Sequence, residues 1–270
     1  MKLFVTDLDG TLLAADQSVH PRDRAALARA RAAGVLVTIA TGRLTGRTHP
    51  IARELGFELP LVCADGSVLA CGATQRVLRR HALPAPFLEA SLDSFARHGV
   101  PGFVFTDDRI HACERGRAYQ AYLSGWSEQV VICAQLGAAP CDLGHIVALL
   151  AIGPDASIDA CERDLRDQHS SADISSFAGA GGRVLRAVAR GASKGAALAE
   201  LARELGVEPA RVAVAGDFWN DLSMFAFAGR SFAMPHAPAE VRAAATHALD
   251  HDIARHGAFA DALEAWLEER

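Results

Sequence analysis

Residues 3–13 read LFVTDLDGTLL, a stretch that joins an apolar strand candidate to two closely spaced carboxylates. LFVT (3–6) is rich in β-branched and apolar residues and predicts a buried β-strand. Asp7 and Asp9 follow it, where open parallel sheets place their ligand sites. Two such carboxylates repel each other unless a cation lies between them, and Mg²⁺ prefers oxygen ligands. The stretch therefore predicts a divalent-metal site, with an Asx turn and a helix cap as the alternative.

A hydroxyl and a glycine end the next predicted strand. VLVTIA (35–40) predicts a β-strand, and Thr41-Gly42-Arg43 follows it at the entrance to a helix predicted over 44–55. Free backbone N–H groups at a helix N-terminus attract anions, so this junction predicts an anion-binding turn. A threonine that simply caps the helix is the alternative.

A lysine opens a later helix. Ser193 is expected to cap a helix over 194–205, which puts Lys194 in its first turn. A cation there opposes the helix dipole unless an anion lies nearby. Lys194 is therefore either a partner of carboxylates or phosphate, or an exposed surface lysine.

Two further aspartates follow the predicted strand VAVAG (212–216). Asp217 and Asp221 are expected to share one face of a helix over 219–228, where like charges are mildly destabilising. Asp217 could cap that helix, but a cap does not account for Asp221. A metal ion, or Lys194 held between the two carboxylates, would account for both.

The arrangement of apolar runs predicts the architecture. At both ends of the chain, short runs alternate with longer Ala- and Leu-rich segments, a pattern typical of βαβ units around a parallel sheet. In the middle, paired strand candidates flank a turn at Asp107-Asp108 and indicate antiparallel pairing. We therefore predict an α/β protein with a doubly wound, Rossmann-like parallel core formed by residues 1–82 and 189–270. A second α/β domain is inserted at 83–188.

Composition excludes several classes of protein. A net charge of −5 argues against a nucleic-acid surface. No apolar run approaches the ~20 residues needed to span a bilayer, and the first residues show no signal-peptide pattern. The six cysteines include no C-x-x-C pair, so neither a disulfide framework nor a zinc site is indicated. We expect a cytoplasmic protein without nucleic-acid or membrane partners, either monomeric or homodimeric.

Four motifs together resemble those of the haloacid dehalogenase (HAD) superfamily. They are D-x-D-G-T-L-L (7–13), T-G-R (41–43), S-K-G (193–195) and G-D-x-x-N-D (216–221), in the family's order and spacing. The insertion between the second and third motifs resembles the large α/β cap of the Cof-type phosphatases. The resemblance implies a Mg²⁺-dependent phosphatase acting on small phosphorylated metabolites, with sugar phosphates the commonest expectation.

The resemblance also implies a role for each motif residue. Asp7 would attack phosphorus, and Asp9 would protonate the leaving alkoxide and then activate water. Mg²⁺ would be held by Asp7, the backbone carbonyl of Asp9 and Asp217, with Asp221 as an outer or second carboxylate. The groups expected to hold the transferring phosphoryl oxygens are Thr41, the Gly42 amide, Lys194 and Asn220.

Some positions depart from the family pattern. Asp65-Gly66 follows the third predicted strand where similar sequences often carry Asn-Gly, so Asp65 is expected to face a substrate hydroxyl or a turn. Arg186 occupies a place where glutamate is common, and MPHA (234–237) replaces Met-x-Asn-Ala. The side chains that are candidates to meet the substrate are Arg43, Asp65, Arg109, Arg183 and Arg186. A plain surface position is the alternative for the arginines of the insertion.

Two other functions remain open at this stage. A phosphomutase or phosphotransferase would use the same four motifs and pass the phosphoryl group to a sugar hydroxyl instead of water. A non-catalytic, phospho-receiver-like signalling module also uses aspartate, threonine and lysine on a doubly wound sheet. Receivers are about one small domain long, whereas this chain has 270 residues, a second acidic motif and a large insertion.

Overall fold

The computed structural model describes residues 1–134, 136, 143–168, 171–179 and 181–268. The chain divides into two units. The core unit comprises Met1–Thr41, His49–Arg76 and Ser193–Arg270, and the inserted unit comprises Gly42–Thr48 and Val77–Ala192. Cys141 lies outside the described residues, and the other five cysteines are free thiols.

The first 76 residues contain four strands and two helices. A 3-10 turn at Ala64–Gly66 separates the last two strands, which pair antiparallel. At three residues, the last strand is too short to show an alternating pattern, so the sequence does not predict it. The elements are β1 (Leu3–Thr6), α1 (Pro21–Ala32), β2 (Leu36–Ile39), α2 (Thr45–Glu54), β3 (Leu61–Cys63) and β4 (Val68–Ala70).

Residues 77–192 contain the strands and helices of the insertion. The helix predicted near 115–124 is instead a 3-10 helix at Glu114–Tyr119 followed by one α-helical turn. The elements are β5 (Val77–Arg80), α3 (Ala85–Arg97), β6 (Gly102–Phe105), β7 (Ile110–Cys113), α4 (Gln120–Leu123), β8 (Val130–Cys133), β9 (Ala148–Gly153), α5 (Asp155–Gln168), β10 (Ala172–Gly179) and β11 (Gly182–Ala189).

Six of these strands form a mixed sheet. Their order is β10-β11-β9-β6-β7-β8, and each neighbouring pair is antiparallel except β7 and β8. The hairpin predicted around Asp107-Asp108 is confirmed, since Phe105 pairs with Ile110. Helices α3 and α5 pack on one face, where Phe95, Ile158 and Leu185 belong to the same buried cluster.

The last part of the chain returns to the βα pattern. The helix predicted over 219–228 is a 3-10 turn at Trp219–Asp221 followed by a short α-helix. Among the described helices, none is both long and apolar enough to cross a membrane. The elements are α6 (Lys194–Glu204), β12 (Val212–Gly216), α7 (Leu222–Phe227), β13 (Arg230–Ala233), α8 (Ala239–Ala244), β14 (His247–Ala248), α9 (Ile253–His256) and α10 (Ala258–Glu268).

The core sheet is parallel and covered on both faces. Its order is β14-β13-β12-β1-β2, with every neighbouring pair parallel. Phe4 of β1 packs on one face against Phe259 and Trp266 of α10. Leu3 and Val5 point to the other face and join a buried cluster with side chains of α6 and α7. The predicted doubly wound α/β fold is therefore confirmed, and β1 lies where the strand order changes direction.

A buried carboxylate connects the first and last helices of the core unit. Asp23 in α1 accepts an N–H from Ala260, 2.8 Å away in the first turn of α10. This bond satisfies one of the backbone donors that a helix start leaves free. Burial raises the pKa of Asp23 to about 7, although the Ala260 bond and the nearby Arg22 oppose the rise. The folded protein therefore favours the protonated acid until the pH approaches neutrality.

Candidate active site

Asp7 stands at the carboxyl end of the central strand. Thr6 pairs with Ala215 of β12, and the Asp7 amide continues the ladder by donating to the Ala215 carbonyl at 2.9 Å. The side chain is 5% exposed. Burial raises the pKa of Asp7 well above its usual value; Lys194 opposes this rise, while Asp221 and Asp217 add to it. An anionic Asp7 therefore depends on positive charge beside it.

Lys194 supplies positive charge to two aspartates at once. Its Nζ lies 2.7 Å from Asp7 Oδ1 and 2.7 Å from Asp221 Oδ1, and its side chain is 1% exposed. Ser193 caps α6 as expected by accepting the Ala196 N–H. Burial disfavours the charge, yet the surrounding carboxylates raise the pKa of Lys194 above its usual value. Lys194 is therefore a buried, fully charged partner and not a surface lysine.

The prediction that Asp217 and Asp221 share a helical face is wrong. Asp217 precedes the 3-10 turn that contains Asp221, and the Asp221 Oδ2 accepts the backbone N–H groups of Asp217 at 2.9 Å and Phe218 at 3.0 Å. Lys194 lies between Asp221 and Asp7 instead of between Asp221 and Asp217. Asp221 therefore closes its own turn with one oxygen and binds Lys194 with the other. Burial raises its pKa, and Lys194 opposes the rise.

Three carboxylates at this edge of the sheet fit a metal ion. Asp7, Asp217 and Asp221 each offer an oxygen, and these oxygens lie within 4.8 Å of one another. Lys194 contacts two of the three, so the cluster keeps an excess of negative charge. A cluster of carboxylate oxygens is the donor set that Mg²⁺ takes, and a divalent cation would offset the excess. The residues present therefore fit Mg²⁺ on both charge and ligand chemistry.

The loop after Asp7 approaches Asp217 closely. Thr11 Oγ1 donates to Asp217 Oδ1 at 3.2 Å. Gly10 has a φ of 79°, and a Cβ built there would lie 2.4 Å from Asp217 Oδ2. Glycine is thus required both by the left-handed backbone and by the close approach. Asp9, which directly precedes Gly10 in the chain, is exposed to solvent.

For Thr41, the structure excludes the helix cap, whereas the anion-binding turn stays a prediction. Helix α2 begins at Thr45, so Thr41 does not cap it. Thr41 is instead 1% exposed, and its N–H donates to the Val62 carbonyl at 2.9 Å while its own carbonyl accepts the Asp65 N–H at 3.0 Å. Gly42 and Arg43 follow it in the chain and are grouped with the inserted unit, with Arg43 buried.

Asp65 turns out to be a partner of Asn220. Its Oδ1 accepts an N–H from Asn220 Nδ2 at 2.7 Å, and the side chain is buried. The backbone at Asp65 is left-handed, with a φ of 53°, a conformation that aspartate tolerates better than most residues. Gly66 follows with a φ of 95°, and a Cβ there would lie 2.1 Å from the Ser193 carbonyl oxygen. The turn therefore packs directly against the start of α6.

The three candidate arginines of the insertion have different surroundings. Arg109 pairs with its neighbour Asp108 at 3.0 Å. Arg183 pairs at 2.8 Å with Asp159 of α5, on the helix-covered face of the sheet. Arg186, three residues further along β11, points to the opposite face because side chains alternate along a strand. The structure therefore does not bring these arginines together, and their contact with substrate stays a prediction.

The sequence interpretation missed His236 as a site residue. Its Nε2 lies 3.2 Å from Asp217 Oδ2, and the side chain is half exposed. The hydrogen bond to Asp217 raises the pKa of His236, against the effect of burial, and the charge of Asp217 adds to the rise. The sequence does contain a sign of this residue, since MPHA at 234–237 replaces the family's Met-x-Asn-Ala, but that difference does not show which side chain His236 contacts.

Comparison with known proteins assigns nearly the whole chain to one family. The model of the haloacid dehalogenase-like hydrolase family matches residues 4–259. A 5-amino-6-(5-phospho-D-ribitylamino)uracil phosphatase of Bacillus subtilis is 29% identical over 269 residues, covering 91% of this chain and 92% of the relative. A pyridoxal phosphate phosphatase of Escherichia coli is 27% identical over 252 residues, covering 90% and 91%.

Solved structures share the fold over nearly the whole chain. A haloacid dehalogenase-like hydrolase from Bacteroides thetaiotaomicron superposes with a TM-score of 0.81 at 24% identity, covering 98% of each chain. A sugar phosphatase of HAD subclass IIB gives a TM-score of 0.82 at 19% identity, covering 98% of this chain and 99% of the other. At these identities the likeness establishes the fold.

Proposed function

Because the chain belongs to the haloacid dehalogenase-like hydrolase family, we propose that it is a Mg²⁺-dependent phosphatase that hydrolyses small phosphorylated metabolites through a phosphorylated Asp7. The observation that carries the proposal is the position of Lys194, 2.7 Å from both Asp7 and Asp221, beside a third carboxylate at the carboxyl end of the core sheet. A buried cation that holds one oxygen of Asp7 favours the ionised form of this carboxylate and orients it, as a nucleophile requires.

The reaction would proceed in two displacements at phosphorus. An oxygen of Asp7 forms a bond to phosphorus, the ester P–O bond breaks, and Asp9 gives its proton to the leaving alkoxide. Water then attacks the phosphorus of the aspartyl phosphate, Asp9 takes a proton from that water, and Asp7 is released. Asp9 is exposed, which gives it access to the leaving group and to water.

Charge neutralisation would come from the residues around Asp7. Mg²⁺, held by Asp7, Asp217, Asp221 and the Asp9 carbonyl, would offset the charge of carboxylates and phosphate together. Thr41, Gly42, Lys194 and Asn220 would hold the phosphoryl oxygens, because phosphoryl transfer depends mainly on positioning and electrostatic stabilisation. One N–H of the Asn220 amide is engaged by Asp65, which leaves its second N–H for a phosphoryl oxygen.

The substrate is expected to be a small phosphomonoester. The relatives named above act on a phosphoribitylamino uracil and on pyridoxal phosphate, which supports a phosphorylated metabolite of that size. We include sugar phosphates in the expected range, and we propose that the inserted unit selects among them.

The decisive experiment replaces the nucleophile. Asp7→Asn should lose several powers of ten in turnover of a panel of phosphorylated metabolites with Mg²⁺, each tenfold corresponding to about 1.4 kcal/mol. Acid quenching of the wild type with ³²P-labelled substrate should trap labelled protein, and the variant should trap none. The exposed Asp93→Asn serves as the control for loss of one negative charge.

Three outcomes would contradict the proposal. Near-wild-type turnover in Asp7→Asn would exclude Asp7 as the nucleophile. Full turnover in EDTA would exclude the metal. Transfer of the label to an added sugar, in place of phosphate release, would favour the phosphotransferase alternative.

A further inference from the structure

His236 is attached to the one carboxylate of the metal cluster that Lys194 does not hold. Lys194 donates to Asp7 and to Asp221, each at 2.7 Å. Asp217 instead meets the imidazole of His236, with Nε2 3.2 Å from Oδ2. Each carboxylate of the cluster therefore contacts a basic side chain: Asp7 and Asp221 contact Lys194, and Asp217 contacts His236.

Three loops meet at Asp217 and leave it little freedom. Thr11, in the loop after β1, donates to Oδ1 at 3.2 Å, and His236, in the loop after β13, contacts Oδ2. Gly10 closes the space between them, since a Cβ there would lie 2.4 Å from Asp217 Oδ2 and 3.1 Å from His236 Nε2. Each oxygen of Asp217 therefore has a polar side chain within hydrogen-bonding distance.

The loop that carries His236 is itself anchored to the core sheet. The Met234 N–H donates to the Gly216 carbonyl at 3.0 Å, directly before Asp217, and the Ala237 N–H donates to the Met234 carbonyl at 3.1 Å. Met234 is fully buried. Backbone hydrogen bonds thus hold the turn on both sides of His236, although the imidazole ring itself is half exposed.

We propose that His236 is a positioning residue for the metal site, holding the Asp217 carboxylate by an Nε2–H donor so that it is oriented before the cation arrives. The inference rests on the proposed function, because it assumes that Asp217 is a metal ligand. Groups that orient a liganding side chain affect metal affinity strongly, and their loss costs about 10- to 100-fold. His236 should therefore govern how tightly the cation binds.

The test measures metal binding without turnover. Metal-free wild type and His236→Ala are titrated with Mg²⁺, followed by melting temperature, and with Mn²⁺, followed by the electron paramagnetic resonance of the free ion. The dissociation constant of His236→Ala should rise about 10- to 100-fold for both ions. His236→Gln, whose amide N–H reaches to a similar position, should recover most of the affinity. His145→Ala, an exposed histidine of the inserted unit, should bind as the wild type does.

The outcomes separate this inference from the proposed function. If the wild type binds neither ion, the proposed metal-dependent phosphatase activity is wrong, and the positioning role of His236 is excluded together with it. If the wild type binds and His236→Ala binds equally well, the positioning role alone is overturned. If His236→Gln fails to recover affinity, and a parallel titration with Co²⁺ shows a much larger loss than the titration with Mg²⁺, His236 is a direct ligand, which also overturns the positioning role. Urea unfolding of the metal-free proteins should be the same for His236→Ala and wild type.

Discussion

Replacing Lys194 by methionine removes a buried charge from the centre of the site while keeping an unbranched side chain of similar length. The Lys194 side chain is 1% exposed, and its ammonium lies 2.7 Å from an oxygen of Asp7 and 2.7 Å from an oxygen of Asp221. Asp7 is 5% exposed and Asp221 is 0% exposed. In the variant, both carboxylates stay buried without their cation. The protein should therefore lose stability as well as activity.

The expected loss in the free energy of unfolding follows from two opposing effects. With an effective dielectric constant near 20, each contact at this distance is worth ~6 kcal/mol of Coulomb attraction. Bringing the ammonium out of water costs several kcal/mol, which methionine does not incur, so most of that attraction is offset. Removing one partner of a buried ion pair typically costs about 3–5 kcal/mol. Because two carboxylates depend on Lys194, we expect a loss near the upper end, about 5 kcal/mol at pH 8.

The loss should shrink as the pH falls. Burial raises the pKa of Asp7 and of Asp221, and removing Lys194 takes away the group that opposes the rise. A carboxyl group with a raised pKa is most favourable in the folded state when protonated, and this stability is lost as the pH rises through its folded pKa. Protonation at low pH therefore substitutes for the missing cation.

The assay is urea unfolding in EDTA at pH 5.5 and pH 8. It compares the wild type, Lys194→Met and Arg203→Met, the last of which removes an exposed charge from the same helix. Arg203→Met should stay within about 0.5 kcal/mol of the wild type. A loss below 1 kcal/mol for Lys194→Met at pH 8, or a loss that is equal at both pH values, would refute the electrostatic reasoning.

Three further predictions concern other parts of the molecule. Mg²⁺ should raise the melting temperature of the wild type, and Asp217→Ala should lose much of that response in a thermal melt; an equal rise in both would exclude this ligand. Because burial raises the pKa of Asp23 to about 7 from 3.8, wild-type stability should fall by up to about 4 kcal/mol as the pH rises through this window. In urea unfolding, Asp23→Asn should reduce the dependence of the free energy of unfolding on pH, and an unchanged dependence would contradict the raised pKa of Asp23. Arg186→Ala should change kcat/KM unequally across phosphorylated metabolites while sparing acetyl phosphate. Arg163→Ala, which removes an exposed arginine of α5, should leave the ranking of substrates intact.

The sequence by itself determined the fold class and most of the residues at the site. Alternating apolar runs predicted the parallel strands, and the strand at 3–6 placed Asp7 at a carboxyl edge, where open sheets form their crevices. Helix and strand patterns depend on a few neighbouring residues, so a short stretch of sequence is enough to predict them. The same local rules overestimated helix at 219–228, where the Asp221 side chain accepts the backbone N–H groups of Asp217 and Phe218 and the first turn is a 3-10 helix.

Only the tertiary structure decided how those residues are partnered. Lys194, ambiguous in the sequence, begins α6 and lies between Asp7, which follows β1, and Asp221, in the turn after β12, so it joins side chains 187 and 27 positions away. Asp65 with Asn220, and His236 with Asp217, pair across 155 and 19 positions in the same way. A charge is stable in the interior only beside groups that compensate it, and such groups come from whichever segments the sheet brings together. The sequence shows which charges exist, and the packing of distant segments decides which of them meet.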